Sequence, residues 1–187
     1  MIVISGPSSV GKNTLLSALG GSNSVSFIVP STSRPPRIEE RSGTDYEFVD
    51  RSQFQSGIID GLFFDWDYAL NNYYGFRTNV LEGVGAIGIT HALARMALRM
   101  RTRVPGTTLV FLHPTNESEH EARLRERFPD PYEREMRTRH WHEELAQESL
   151  FDYILPVTGG LEALSDPFRT IWQRLGVELP PERRSVP

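Results

Sequence analysis

The chain has no cysteine, and its 20 basic side chains include a single lysine, Lys12. Without cysteine there are no disulfides, no thiolate-bound zinc and no thiol nucleophile. No run approaches the ~18 consecutive apolar residues that a membrane-spanning helix needs. No repeat and no low-complexity segment is present. A surplus of positive charge is missing as well: the formal net charge is −4, which argues against general nucleic-acid binding through a basic face, although arginines can still cluster locally. No basic region precedes the apolar N-terminal residues, so no signal peptide is expected and a cytoplasmic location is the default. At 187 residues and 39% apolar content, one domain with a core is expected, with room for small mobile subdomains.

What is present begins at residue 1. Met1 to Ser5 is a short apolar, β-branched run that leads into Gly6-Pro-Ser-Ser-Val-Gly11-Lys12-Asn13-Thr14, after which Leu15, Leu16 and Leu19 take up helical spacing. A strand, a glycine-rich turn and a helix N-terminus in that order form a phosphate cradle. Gly6 and Gly11 let backbone N–H groups converge on an anion, with Ser8, Ser9 and Val10 between them. Lys12 reaches the β- and γ-phosphates as a point charge. A chain that uses arginine elsewhere keeps its one lysine here. The match to G-x-x-x-x-G-K-[ST] departs at Asn13, which stands where Ser or Thr ordinarily binds Mg²⁺. Asn13 could offer its amide oxygen to the ion, and Thr14 lies one residue off.

Further along, Lys12–Leu19 is expected to be a helix stopped by Gly20-Gly21, and Val25–Val29 a second buried strand. Ser31 to Arg37 is a rigid polar loop whose prolines exclude helix. Gly43–Val49 alternates as a strand with Tyr46 and Phe48 on one face, Asp50 caps a short helix, Leu62–Trp66 is strand-like and Asn71–Gly75 reads as a turn. Thr78 caps a short helix. Val84–Ile89, Thr107–Leu112 and Asp152–Leu155 are three more core strands. Helices are expected at 92–100, from Asn116 to Phe128, from Tyr132 to Leu150 beyond the Pro129/Pro131 break, and at 161–175. The tail 180–187 is polar, proline-rich and expected to be disordered. His91, His140 and His142 lack the spacing of a zinc site and read as surface or supporting residues, and Trp141 as helix packing. Strands alternating with helices imply an α/β fold with a doubly wound, parallel, five-stranded sheet of P-loop NTPase type. The β-rich block Arg34–Gly75 falls outside that alternation and reads as an inserted lobe.

The lobe holds Arg34 and Arg37, three apart across two prolines, with Tyr46 and Tyr74. Two rigidly spaced guanidiniums and two phenols suit a phosphate monoester, through bidentate charge-assisted bonds and neutral O–H donors. An Arg-Pro-Pro-Arg loop alone is more often a solvated surface. Opposite a P-loop it makes the second phosphate site that a phosphotransferase requires.

At this point the chain resembles the guanylate kinase family, over residues 2 to 158. Gly6 to Lys12 looks like that family's P-loop. Ser33-Arg34-Pro-Pro-Arg37 with Gly43 to Val49 is similar to its nucleoside monophosphate (NMP) lobe. Phe64-Asp65-Trp66 and Asn72-Tyr73-Tyr74-Gly75 match the segments completing that lobe, and Phe151-Asp152-Tyr153 the strand before its adenine-side loop. The resemblance implies a core of residues 1–30, 79–115 and 151–179, an NMP lobe of 31–78 and a lid of 116–150. It implies ATP and Mg²⁺ as cofactors, Arg34, Arg37, Tyr46 and Tyr74 as holders of the acceptor phosphate, and Arg123, Arg127 and Arg137 as lid arginines that close over the transferring group. Arg125 and Arg139 read instead as solvated. Guanine is read in that family from four polar positions, which here hold Pro30, Asp65, Phe76 and Thr90. Phosphate-holding residues therefore persist while base-reading ones have changed. Two expectations follow: an altered base preference, with Phe76 stacking on a base or filling space, or guanine read by other groups such as Asp67, Asn71 or Asn72. The expected activity is ATP-dependent phosphorylation of a nucleoside 5′-monophosphate, GMP, dGMP or a relative, to give ADP and the diphosphate. The partners expected are small-molecule nucleotides, with neither nucleic acid nor membrane, and the oligomeric state is open. The alternatives are an inactive protein-binding module of the same shape and a kinase for a phosphorylated sugar.

Overall fold

The computed structural model describes residues 1–19, 25–82, 87–158 and 173. The expected stop at Gly20-Gly21, the start of the strand at Val84, the helix at 161–175 and the tail lie outside the described residues. In chain order the elements are β1 (Ile2–Ser5), α1 (Lys12–Leu19), β2 (Val25–Phe27), β3 (Ser31–Thr32), β4 (Glu47–Phe48), α2 (Arg51–Ile59), β5 (Phe63–Ala69), β6 (Asn72–Arg77), β7 (Ile87–His91), α3 (Ala94–Arg103), β8 (Thr108–Pro114), α4 (Glu117–Arg127), α5 (Pro131–Leu145) and β9 (Tyr153–Val157). Short 3₁₀ turns occupy Thr78–Leu81 and Glu148–Leu150.

Five strands form a parallel sheet in the order β2-β7-β1-β8-β9. The β1 strand is therefore central, and the loop leaving its C-terminal end sits where strand order reverses, the place where doubly wound sheets bind ligands. Period-two alternation sorts the core into two layers. Ile2 and Ile4 of β1 pack with Val110, Leu112 and Leu15 on the α1 side, while Val3 packs with Leu109, Phe111, Met96 and Met100 on the α3 side. Ser5 closes the strand by donating its hydroxyl to the Ala92 carbonyl at 2.9 Å, which ties the start of the loop to the end of β7.

A second sheet, ordered β4-β3-β6-β5, is built from residues 31–77. Two local expectations are corrected here. Asn71–Gly75 is not a turn: the reversal occurs at Leu70 and Asn71, both with positive φ, and Asn72–Arg77 is a strand paired with β5. Only Glu47–Phe48 of the 43–49 segment is strand; Gly43 has φ +77° and the chain turns through Asp45 before joining β3. The capped helix after Asp50 is α2, with Asp50 and Gln53 exchanging a reciprocal capping box. Beneath it Phe54 stacks on Phe63 at 4.2 Å. Gly75 is required there, since a Cβ would lie 2.8 Å from the Phe54 ring.

The sequence break at Pro129 and Pro131 separates α4 from α5. Asn116 and Asp130 cap them, each accepting an N–H three residues on. The helix expected to reach Leu150 ends at Leu145 and gives way to the 3₁₀ turn. Trp141 packs with Leu124 and Phe128 in a small core of its own, as helix packing rather than an exposed platform.

Candidate active site

The loop from β1 to α1 has the backbone of an anion nest. Gly6 takes φ +136°, and a Cβ there would sit 2.6 Å from the Leu112 carbonyl oxygen, so nothing larger fits against β8. Ser9 (φ +65°) and Gly11 (φ +106°) supply two further positive-φ turns. Alternation of this kind aims successive N–H groups into one concavity. Val10 is buried beneath the loop, whereas Thr14 is exposed. Lys12 opens α1 and curls back to donate its Nζ to the carbonyls of Gly6 and Pro7. Burial pulls its ammonium pKa down to about 8. Glu144 opposes that fall, and the guanidiniums of Arg127, Arg37 and Arg137 add to it.

The lobe brings its predicted phosphate ligands to the same place. Arg34 is buried and bidentate on Glu40, at 2.7 and 2.9 Å, with its guanidinium over the rings of Tyr46 and Phe48 at 5.2 and 5.5 Å. Arg37 meets the same carboxylate at 2.9 Å. Burial works against ionisation of Glu40, yet its bonds to Arg34 and to the Arg37 backbone, together with their charges, hold its carboxyl down to about 2. Tyr46 and Tyr74 meet edge to face at 6.2 Å. Burial, then the neighbouring Tyr74, pushes the Tyr46 phenol pKa up, so Tyr46 stays a neutral donor.

From the other side, Arg137 of α5 lies buried in the cleft. It donates to Ser8 Oγ at 3.0 Å, pairs with Glu133 at 2.8 Å and stacks 3.8 Å above the Phe128 ring. Arg37 approaches that ring at 5.6 Å. Arg127 faces Glu40, Arg137 and Arg34, and forms no ion pair among the described residues. Arg123 behaves differently: it pairs with Glu119 on its own helix at 3.1 Å and is not among the charges that act most on Lys12. Arg125 and Arg139 make exposed pairs with Glu121 and Glu135.

The four positions expected to meet a base are mostly occupied. Phe76 is fully buried in the core beside Phe64, 5.9 Å away. Thr90 donates its hydroxyl to the Ile28 carbonyl at 2.6 Å. Pro30 is buried and has no donor. Asp65 is buried opposite Phe76 across the β5–β6 ladder; its Oδ1 takes Arg99 at 2.9 Å and Arg103 at 3.3 Å, while Oδ2 has no partner among the described residues. Asp67 is likewise engaged by Arg95 and Arg99, Asn72 by Leu70 O, and Asn71 by Met136.

With this geometry the sequence matches the family model described as guanylate kinase over residues 1–166. The chain belongs to the guanylate kinase family. A guanylate kinase of Gloeobacter violaceus is 35% identical over 158 residues, covering 82% of this chain and 77% of the relative. One of Haemophilus ducreyi is 30% identical over 190 residues, covering 98% and 88%. The solved guanylate kinase structure from Anaplasma phagocytophilum superposes with a TM-score of 0.72 over 95% of this chain and 86% of its own, at 21% identity, which bears on the fold. Among the described residues no helix is long and apolar enough to cross a membrane.

Among the cleft residues, Glu40 and Asp45 were not singled out from the sequence. Glu40 had a usable signal, being three residues beyond Arg37 in the same rigid loop. Asp45 had none; it accepts the Asn13 amide at 3.0 Å and so ties the P-loop helix to the lobe. Of the two readings of His91, surface or supporting, the structure has the second: it is buried, edge-on to Tyr46 at 4.9 Å. Its Nε2 faces the Asp45 carbonyl, which can only accept, so Nε2 bears the proton and Nδ1 faces the Tyr46 hydroxyl as an acceptor. Burial, reinforced by Lys12, holds its pKa down to about 4. His120, buried against Trp141, is also lowered to about 4, chiefly by burial.

Two outcomes are expected. Glu40→Gln leaves two facing guanidiniums without their shared counter-charge. It should raise the acceptor KM at least ~10-fold with a much smaller effect on the KM for ATP, as read by steady-state kinetics with each substrate varied. The two histidines have folded pKa values below the unfolded 6.5. Their stabilising contribution is complete above that pH and is lost as pH falls towards 4, because only the unfolded chain takes up the protons. Melting temperature should therefore drop across that window. His120→Leu, which also removes two ring nitrogens that have no hydrogen-bond partner among the described residues, should flatten the drop; an unchanged slope would count against this assignment.

Proposed function

We propose that the chain transfers the γ-phosphoryl group of ATP to the 5′-phosphate of a nucleoside monophosphate, GMP foremost, giving ADP and GDP. The observation that supports this most strongly is the convergence of Lys12, Arg37, Arg127 and Arg137 on one cleft from three segments of the chain, with the Arg34–Glu40 pair at its acceptor wall. In this reading the P-loop amides and Lys12 hold the donor phosphates, and Arg34, Arg37, Tyr46 and Tyr74 hold the acceptor phosphate. An acceptor phosphate oxygen attacks the γ-phosphorus in line; the bond to the β–γ bridging oxygen breaks and ADP leaves with that electron pair. Arg127 and Arg137 neutralise charge on the equatorial oxygens, a role worth roughly 3 kcal/mol or more per group. Arg123 serves at most from a distance, since Glu119 holds it.

Mg²⁺ would supply neutralisation of charge on the donor phosphates. Among the described residues no cluster of three or more His, Cys, Asp or Glu could hold a metal ion. The Asn13 amide nitrogen is given to Asp45, which leaves its carbonyl oxygen as the ligand this loop can offer. That fits an ion that keeps most of its waters and binds largely through phosphate.

Base selection follows from the same geometry. Of the four positions expected to meet a base only Asp65 offers a carboxylate, through the oxygen that has no partner among the described residues. A site that satisfies every polar edge rejects a wrong partner by ~10⁴-fold or more; one remaining acceptor sustains ~10²-fold or less. Initial rates across GMP, dGMP, AMP, CMP, UMP and IMP should show GMP preferred in kcat/KM by less than ~10²-fold, and Lys12→Ala should abolish turnover with all of them. A GMP preference near 10⁴-fold would overturn the relaxed selection, and no turnover of any monophosphate would overturn the kinase reading itself.

A further inference from the structure

Glu144 lies near the C-terminal end of α5, two turns beyond Arg137, and is 2% exposed. A buried carboxylate needs compensating donors or opposite charge. Glu144 has both. Its Oε1 accepts the backbone N–H of Ala94, the first residue of α3, at 2.8 Å. Burial raises the Glu144 carboxyl pKa, against which work the positive charge of Lys12 and the nearby backbone of Gly6, the first residue of the phosphate loop. Gly6 and Ala94 follow the neighbouring strands β1 and β7 at the same end of the sheet, and β1 and β7 are already joined there by Ser5 and Ala92. Through Ala94 this side chain ties α5 to the segment that leaves β7, beside the loop that leaves β1. Its own helix touches that loop through Arg137 and Ser8.

We propose that Glu144 is a positioning residue for the phosphate-donor site: it fixes the first residue of the loop and the setting of Lys12, and makes α5 a rigid strut between loop and lid. The charged and titratable groups that face this assembly are Lys12 on α1, Arg37 after β3, Arg127 on α4, and Arg137 and His140 on α5, the last with its Nε2 3.5 Å from Glu144. Glu144 is the carboxylate that acts most on Lys12. Other cleft carboxylates, Glu40 and Glu133, are committed to Arg34, Arg37 and Arg137. Neutralising Glu144 removes that attraction.

The proposal concerns the donor half of the reaction read above, and its test does not require the acceptor to be known. Glu144→Gln, Glu144→Asp and wild type are compared by calorimetric titration with ATP and by NMR of protein carrying ¹⁵N backbone and ¹³C-labelled lysine, in which Lys12 gives the one lysine side-chain signal. In Glu144→Gln, ATP affinity should fall at least ~10-fold, with the Gly6 and Ala94 amide signals and the Lys12 signal displaced. Binding of GMP should change less than ~2-fold, and Glu144→Asp should recover part of the ATP affinity. A folded Glu144→Gln protein with wild-type ATP affinity and an unmoved Lys12 signal overturns the proposal. Should Glu144→Gln not fold, Glu144→Asp decides by the same readouts: weakened ATP with unchanged GMP supports it, and a parallel loss of both marks a purely structural role. Failure of wild type to bind GMP would count against the acceptor assignment and leave the ATP comparison intact.

Discussion

Like charge crowded into one cleft is the constraint on which the rest of this structure depends. Lys12, Arg34, Arg37, Arg127 and Arg137 are close enough to perturb one another. Two unit charges ~6 Å apart repel by about 3 kcal/mol at an effective dielectric constant of ~20. The fold contains that repulsion with a few placed groups. Glu40 spans Arg34 and Arg37, Glu133 holds Arg137, Glu144 faces Lys12, and the rings of Tyr46, Phe48 and Phe128 lie under three of the guanidiniums. What the protein leaves uncompensated, a polyanion completes, and a pair of phosphorylated substrates brings several negative charges. The cleft is thereby preorganised for the charge that develops in phosphoryl transfer.

The scaffolding serves that placement. Central β1 delivers the loop to the switch point of the sheet, α4 and α5 deliver Arg127 and Arg137, and the second sheet delivers Arg34, Tyr46 and Tyr74. Along α3, Arg95, Arg99 and Arg103 recur every four residues and grip Asp65 and Asp67 of β5. Arg99 and Arg103 also donate to the Trp66 and Phe64 carbonyls of that edge strand. The lobe is thus held against the core on the flank away from β4, and an exposed row of backbone acceptors is covered.

Much of this was legible in the sequence because it rests on local rules. Glycines at fixed spacing marked the loop, continuous apolar runs in β1 and β8 marked core strands, Asn116 marked the start of α4, and the two prolines marked the break between α4 and α5. Long-range charge compensation was not legible: Glu144 faces Lys12 from 132 positions away along the chain, and neither helical period nor motif links them. The same holds for Asp65, whose arginine partners come from α3. Phe76 illustrates a different limit. The segment before it reads as a turn, and only the packing decides that the ring fills the core instead of facing a base. For His91 the sequence left surface and supporting positions open, because a lone histidine at a strand end carries no mark of burial.

The central claim is that donor and acceptor phosphates are held in one cleft by the same set of cations. Equilibrium binding of a bisubstrate compound, adenosine and guanosine joined 5′ to 5′ through five phosphates, tests it most directly. If both halves engage together, the compound should bind at least ~10²-fold tighter than ATP or GMP alone, and both Lys12→Ala and Arg37→Ala should remove most of that gain. An affinity no better than that of ATP, or one indifferent to Arg37→Ala, would contradict the account.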